Sequence, residues 1–147
     1  MEGVPDCTYR LLLEAEWEYA CRAGTKSALY SGDLTASTAE CVNLELIGWY
    51  DENSEGRTHE VGQKQPNAFG LYDMSGNVWE WCADWFGDYP NEAVKDPAGP
   101  LRGESRVNRG GSWFNGGMFC RSGNRFGKWP DVKYPYVGLR LMRVIEE

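Results

Sequence analysis

The sequence predicts an α+β chain that is rich in turns, with one helix, three short strands and long loops. Eighteen glycines and seven prolines among 147 residues break most periodic runs, which argues against a helical bundle. Aromatic residues make up 14% of the chain, far too much for a disordered protein. The length fits one domain, and we expect residues 1–147 to form it.

The helix signal covers residues 13–23. Leu13, Trp17 and Cys21 recur at helical spacing, and glutamates occupy the opposite face. These glutamates suit the N-terminal half of a helix dipole, and Gly24 suits the position just after a helix. The next fifty residues read as loops, because glycine, proline and asparagine interrupt every run.

A period-two strand covers residues 78–85. Alternation places Trp79, Trp81 and Trp85 on one face of this strand. We expect that tryptophan face to point toward the core.

Two further strands are predicted in the last third of the chain. Residues 106–113 form one candidate, and Gly110-Gly111 mark a bend or bulge in it where a side chain would not fit. Residues 137–144 form the other, with alternate apolar side chains on one face.

Charge and motif content exclude several classes of function. A net charge of −7 argues against a general nucleic-acid binder. No apolar run approaches the roughly 18 residues that a membrane span needs, so we expect no direct membrane insertion. A single histidine excludes mechanisms that need two imidazoles, and the five cysteines lack the spacing of a zinc site.

The two signs of charge are unevenly distributed. Residues 1–105 carry a net charge of −12, and residues 106–147 carry a net charge of +5. Ion pairs between the two parts of the chain are the favoured explanation, and a site for an anion is the alternative.

Four blocks of sequence resemble the formylglycine-generating-enzyme, or sulfatase-modifying-factor, family. They lie within residues 9–25, 66–82, 109–113 and 137–140, and the second reads PNAFGLYDMSGNVWEWC. The resemblance implies a C-type-lectin-like fold of this family's type, with little regular secondary structure around a small antiparallel sheet. Most members are longer at the N-terminus, so the resemblance leaves open that the chain is truncated there.

Within the family, the last third resembles the variable proteins of diversity-generating retroelements. Ordinary relatives fill the gaps between the last two blocks with asparagine-rich stretches, whereas this chain has aromatic residues and glycines there. The resemblance implies a variable ligand-binding region over about residues 106–144. We expect its residues to share one exposed face: Phe114, Asn115, Gly116, Phe119, Phe126, Gly127, Lys128, Trp129, Val132, Tyr134 and Tyr136.

The composition of this region suits binding. Tyrosine and tryptophan offer large contact areas with few rotatable bonds, and glycine and asparagine permit adaptable loops. Trp129 and Tyr134 are the expected anchors, since the neighbouring prolines limit the backbone freedom lost on binding. The alternative is that the aromatic side chains only pack a core that is rich in loops.

The copper oxidases of the family imply a different activity, directed at a sulfatase cysteine. Their copper site needs two cysteines after the Gly-Gly-Ser block, because Cu(I) favours thiolate ligands. Asn115 stands at the first of these positions, and Cys120 is the only cysteine after Cys82. We therefore expect a non-catalytic protein that binds a protein or other cell-surface ligand, with an assembly module as the third possibility. An exported, cell-surface or phage-particle location is expected.

The resemblance also implies two structural features, although no cofactor is expected to be required. A calcium ion is expected in the loop before the tryptophan strand. The alternative is that Asp73 and Asn77 only brace a tight turn there. The expected ligands are Asp73, the Ser75 carbonyl, Asn77 and Glu80. If the protein is exported, a disulfide between Cys21 and Cys120 is implied, but Cys120 lies two residues from the corresponding position in the enzymes.

Overall fold

The computed structural model describes residues 7–35 and 41–145, which contain two helices and two small sheets. The helices are α1 (Glu14–Arg22) and α2 (Val42–Glu45). The strands are β1 (Cys7–Leu11), β2 (Trp79–Trp85), β3 (Arg106–Arg109), β4 (Arg125–Lys128), β5 (Val137–Leu139) and β6 (Leu141–Ile145). The larger sheet has the order β4-β3-β2-β5, and β1 pairs with β6 in the smaller one. No helix among the described residues is long and apolar enough to cross a bilayer.

The predicted helix is confirmed, and one local and one distant carboxylate cap its first turn. The Leu13 N–H donates to the Glu16 carboxylate, at 2.8 Å. The Glu14 N–H donates to Asp84 Oδ2 at 2.7 Å, although Asp84 lies 70 residues further along the chain. These carboxylates accept from two of the N–H groups at the start of the helix that have no partner within it.

The predicted third strand is two strands. β5 runs parallel to β2, whereas β6 runs antiparallel to β1 in the other sheet. The chain changes sheets at Arg140, whose guanidinium is bound to Glu80 at 2.7 Å. Leu139 and Leu141, expected to belong to an apolar face, are both more than half exposed.

The two glycines after β3 behave as predicted. Both have positive φ, +97° at Gly110 and +74° at Gly111. A Cβ on Gly111 would lie 2.7 Å from Cys120 Sγ and 3.0 Å from the Cys120 Cα. The bend therefore requires glycine both for its backbone angle and for its close contact.

The core lies on the side of the larger sheet that faces α1. Cys82 and Val107 pack there with Trp17 and Cys21 of the helix. On the same side, Trp17 Nε1 donates to Glu80 at 2.7 Å. The prediction that the tryptophan face of β2 points to this core is therefore wrong, because the intervening residues Glu80, Cys82 and Asp84 occupy that side.

Buried ion pairs join the two oppositely charged parts of the chain. Arg125 forms two hydrogen bonds with Glu14, each at 2.7 Å. Arg109 is fully buried and pairs with Glu18, and its Nε lies 3.6 Å from Glu14 Oε1. The complementarity predicted from the uneven charge is present in the structure.

Candidate ligand-binding face

The tryptophan face of β2 forms the floor of a layer of aromatic side chains. Trp79 is buried and Trp81 is half-buried. The Trp79 ring lies 6.1 Å from that of Phe126 on β4, and the Trp81 ring lies 6.5 Å from that of Tyr134. The side of the sheet opposite α1 is therefore covered by residues of the predicted variable region.

A second row of rings continues the layer. Phe114 lies 4.6 Å from Tyr136, and Tyr136 lies 5.7 Å from Tyr134, between ring centroids. Phe114 and Phe126 are 43% and 49% exposed, so the layer reaches solvent. We call the aromatic face the set made of Trp79, Trp81, Phe114, Phe126, Lys128, Tyr134 and Tyr136.

Asn115 links the floor to the loop that follows β3. Its Oδ1 accepts hydrogen bonds from Trp79 Nε1 at 2.8 Å and from Ser112 Oγ at 2.6 Å. Its carbonyl oxygen accepts from the Asp51 N–H at 3.3 Å. Asn115 is thus a brace that holds this loop against the sheet, in addition to any contact with a ligand.

Lys128 lies among the rings of the aromatic face. Its Nζ is 5.0 Å from the centroid of Phe126, 4.7 Å from that of Tyr134 and 4.6 Å from that of Tyr136. These distances are in the range of cation–π attraction. Partial burial lowers the pKa of the Lys128 ammonium from its ordinary value.

The structure brings together six of the eleven predicted residues: Phe114, Asn115, Phe126, Lys128, Tyr134 and Tyr136. Gly116 adjoins them in the chain and precedes a 3₁₀ turn at Gly117–Cys120, which contains the half-buried Phe119. Trp129 and Val132 are exposed in the turn after β4, where the Val132 N–H donates to the Trp129 carbonyl oxygen at 3.3 Å.

Gly127 does not belong to the aromatic face. Its neighbours Phe126 and Lys128 point toward that face, so a side chain at position 127 would point to the other side of the sheet. A Cβ there would lie 2.8 Å from both the Phe86 ring and Ser105 Oγ. The glycine is needed for close packing, and its prediction as a contact residue is wrong.

The predicted calcium ligands do not form a set that fits a cation. Glu80 is bound by Arg140 and by Trp17 Nε1, and Asn77 exchanges two hydrogen bonds with the backbone of His59. Asp73 Oδ2 accepts from the Gly62 N–H, which leaves only Oδ1 without a partner. A cation bound to Glu80 would also be repelled by the Arg140 guanidinium.

The arrangement of this loop resembles the bracing alternative. No group of three or more histidine, cysteine or acidic residues within the described ranges is placed to hold a metal. Calcium binding stays a prediction from the family resemblance, and we assign calcium no role. An unchanged melting temperature in calcium and in chelator would contradict it.

The predicted disulfide between Cys21 and Cys120 is absent. Both cysteines are free and buried, and they belong to different apolar clusters. Cys21 Sγ instead lies 3.5 Å from Ser122 Oγ. Ser122, two positions beyond Cys120, is therefore the residue that faces Cys21. Cys120 packs against Gly111 of the glycine bend instead.

Sequence reasoning missed three members of this side of the sheet. The period-two pattern correctly puts the floor residues Trp79 and Trp81 on one face of β2, but it predicts that this face points to the core. Asn108 lies opposite Trp81 on one side and Phe126 on the other, so its side chain shares their side of the sheet. No local sequence pattern indicated that Asn108 lies beside β4, because the strand Arg125–Lys128 is too short to show a periodic pattern.

Known proteins resemble this chain over most of its length. A formylglycine-generating enzyme from Thermomonospora curvata is 36% identical over 146 residues, covering 89% of this chain and 48% of the relative. The solved Treponema denticola variable protein 1 has 39% identity and a TM-score of 0.83, covering 94% of this chain and 48% of that one. PvdO from Pseudomonas aeruginosa has 35% identity and a TM-score of 0.77, covering 90% of this chain and 51% of that one.

These comparisons confirm the fold class and the family. The chain spans about half the length of these relatives. Its small sheets and few helices match those of formylglycine-generating-type proteins, the C-type-lectin-like fold predicted above. The family described as sulfatase-modifying factor enzyme 1-like domain matches residues 3–145, and the chain belongs to that family.

Proposed function

We propose that this chain is a non-catalytic binding module whose aromatic face holds a protein or other surface ligand. The observation that carries the proposal is the exposed layer of rings on the side of the sheet opposite the core. Exposed aromatic clusters on rigid elements are typical of contact surfaces. The resemblance to a variable protein supports the same function.

The chemistry of the two cysteine positions argues against a copper oxidase. Asn115 replaces one thiol, and its side-chain oxygen is engaged by Trp79 and Ser112. Cys120 is fully buried, and this burial raises the pKa of its thiol to about 12. A single cysteine beside an amide cannot supply the two thiolate ligands that such a Cu(I) site needs.

A screen against surface proteins from candidate host or neighbouring cells tests the binding function. The screen uses the wild-type chain and Trp129→Ala, with Tyr9→Ala as the control. Both residues are about 60% exposed, but Tyr9 lies in β1 of the other sheet. We expect Trp129→Ala to weaken a true ligand by ~2 kcal/mol or more, while its melting temperature and the binding by Tyr9→Ala stay unchanged.

Tyr134, the second expected anchor, needs a separate measurement because it is half-buried against Trp81 and Tyr136. Tyr134→Ala is expected to lower both ligand affinity and thermal stability. A ligand that binds the Tyr134 variant as tightly as the wild type would contradict the proposed face, and unchanged binding by Trp129→Ala would contradict Trp129 as an anchor in the turn after β4.

Two further measurements separate this function from its alternatives. A titration with Cu(I) is expected to show no tight stoichiometric uptake, and uptake of one equivalent would favour the oxidase. Diversification by a retroelement predicts that copies of the gene in one genome differ at the exposed positions, such as Phe114, Phe126 and Trp129. Differences spread evenly along the chain would favour an assembly module.

A further inference from the structure

Lys128 is a cation without an anionic partner in the described part of the chain. Three aromatic rings lie within 5.0 Å of its Nζ. The ion pairs formed among residues 7–35 and 41–145 do not include it. Burial against the rings removes water from the ammonium group, and no described carboxylate compensates for that loss.

Four other cations of the last third have partners inside the fold. Arg109, Arg125 and Arg140 each pair with a glutamate of the acidic part. Arg106 stacks on Trp85 and donates to the Ala83 carbonyl oxygen. Lys128 differs because it lies on the side of the sheet away from these glutamates.

The surroundings of Lys128 suit a single carboxylate. Phe126 lies beside it and Phe114 lies against Tyr136, and both offer exposed apolar surface that can pack the stem of an acidic side chain and its neighbours. A polyanion would be repelled by the net charge of −7 and would find only one ammonium group among the rings. A hydrogen bond between ammonium and carboxylate is strengthened where the surrounding rings exclude water.

We propose that the aromatic face recognises a protein partner through an aspartate or glutamate side chain that pairs with Lys128. This inference rests on the proposed binding function and adds the chemical group that the partner must present. The rings supply contact area, and Lys128 selects the sign of the charge at the centre of the contact.

A displayed library of random peptides tests this specificity without a known ligand. The wild-type chain, Lys128→Met and Lys128→Glu are each used to select peptides. Lys95→Met is the control for net charge, since Lys95 lines a cleft beside Glu14 on the α1 side of the sheet. Phe114→Ala combined with Tyr136→Ala measures the background that does not depend on the face.

The expected result is an excess of aspartate and glutamate beside apolar residues in the peptides selected by the wild type and by Lys95→Met. This excess should vanish with Lys128→Met and become an excess of lysine and arginine with Lys128→Glu. Peptides that depend on the face but show no bias in charge would overturn the inference and leave the binding function intact. If no peptides exceed the background of the double variant, the proposed function fails and the inference fails with it.

A selected peptide then provides a quantitative test. Replacing its acidic residue by the matching amide should weaken binding to the wild type by about tenfold or more, as expected for a charged hydrogen bond. The same replacement should have little effect on binding to Lys128→Met. Equal losses with both proteins would show that the carboxylate contacts another residue and would overturn the assignment to Lys128.

Discussion

Ser122 faces Cys21 between α1 and the segment that leads to β4. Their side-chain atoms Oγ and Sγ lie 3.5 Å apart, and both residues are buried. We expect Ser122→Cys to form a disulfide with Cys21 under oxidising conditions. The bond would close a loop of about 100 residues and stabilise the fold by roughly 2–4 kcal/mol.

Mass spectrometry without reductant checks this bond as a loss of two hydrogens, and melting curves with and without reductant give its effect on stability. Ser122→Ala is the control for the lost hydroxyl. Five reduced wild-type cysteines plus a reduced Cys at position 122 would show that the two side chains do not face each other in solution.

Asn108 is a second informative residue. Its side chain is fully buried, and neither its amide nitrogen nor its oxygen has a hydrogen-bond partner among the described residues. An unpartnered buried polar group costs about 1–3 kcal/mol, so Asn108→Leu is expected to raise the free energy of unfolding. Urea denaturation measures the change, and Asn108→Asp, which adds a buried charge, should lower it instead. A less stable Asn108→Leu would show that the amide is satisfied in solution.

At the scale of elements, α1 depends on β2 for its first turn. Asp84 accepts the Glu14 N–H, and burial, together with the nearby Glu14 carboxylate, raises the pKa of Asp84 above its ordinary value. A carboxyl group with a raised pKa in the folded state binds its proton more tightly there than in the unfolded chain. Its contribution to stability is therefore complete below the unfolded pKa and is lost as pH rises through the folded pKa.

Asp84→Asn removes this titration but keeps an oxygen that can accept the Glu14 N–H. We expect the stability of this variant relative to the wild type to increase from pH 3 to pH 7. Asp84→Ala, which lacks the acceptor, should lose ~1 kcal/mol relative to Asp84→Asn. Urea denaturation over this pH range is the measurement, and a relative stability that falls with pH would contradict the sign.

At the scale of the whole molecule, buried ion pairs join the acidic and basic parts. Arg109 is fully buried against Glu14 and Glu18, so Arg109→Met would leave the buried Glu14 and the partly buried Glu18 with one partner fewer each. We expect a loss of about 3–5 kcal/mol in the free energy of unfolding.

Arg10→Met is the matched control, since Arg10 forms an exposed pair with Glu16. Its loss should cost less than ~1 kcal/mol because exposed pairs are screened by water. Chemical denaturation of both variants compares the two costs. A change at Arg109 as small as that at Arg10 would show that the buried network contributes little.

Local patterns were sufficient to predict several parts of this protein. Helical spacing was sufficient to predict α1. Two adjacent glycines were sufficient to predict the bend, because only glycine suits the positive φ and the close contacts found at Gly110 and Gly111. The distribution of charge predicted the ion pairs between the two parts of the chain, because buried arginines need carboxylate partners. The sequence also predicted the family, the fold class and six residues that the structure brings together on or beside the aromatic face.

Tertiary structure alone decided which side of β2 is the core. Alternation shows only that Trp79 and Trp81 share a face of the strand. Because both faces of β2 are covered, the same pattern fits whether the tryptophans point toward α1 or away from it. The helix packs on Cys82, which leaves the tryptophans as the floor of the aromatic face. The cap supplied by Asp84 and the contact between Cys21 and Ser122 were likewise decided by packing, because each joins residues too far apart in the chain for a local pattern to relate them.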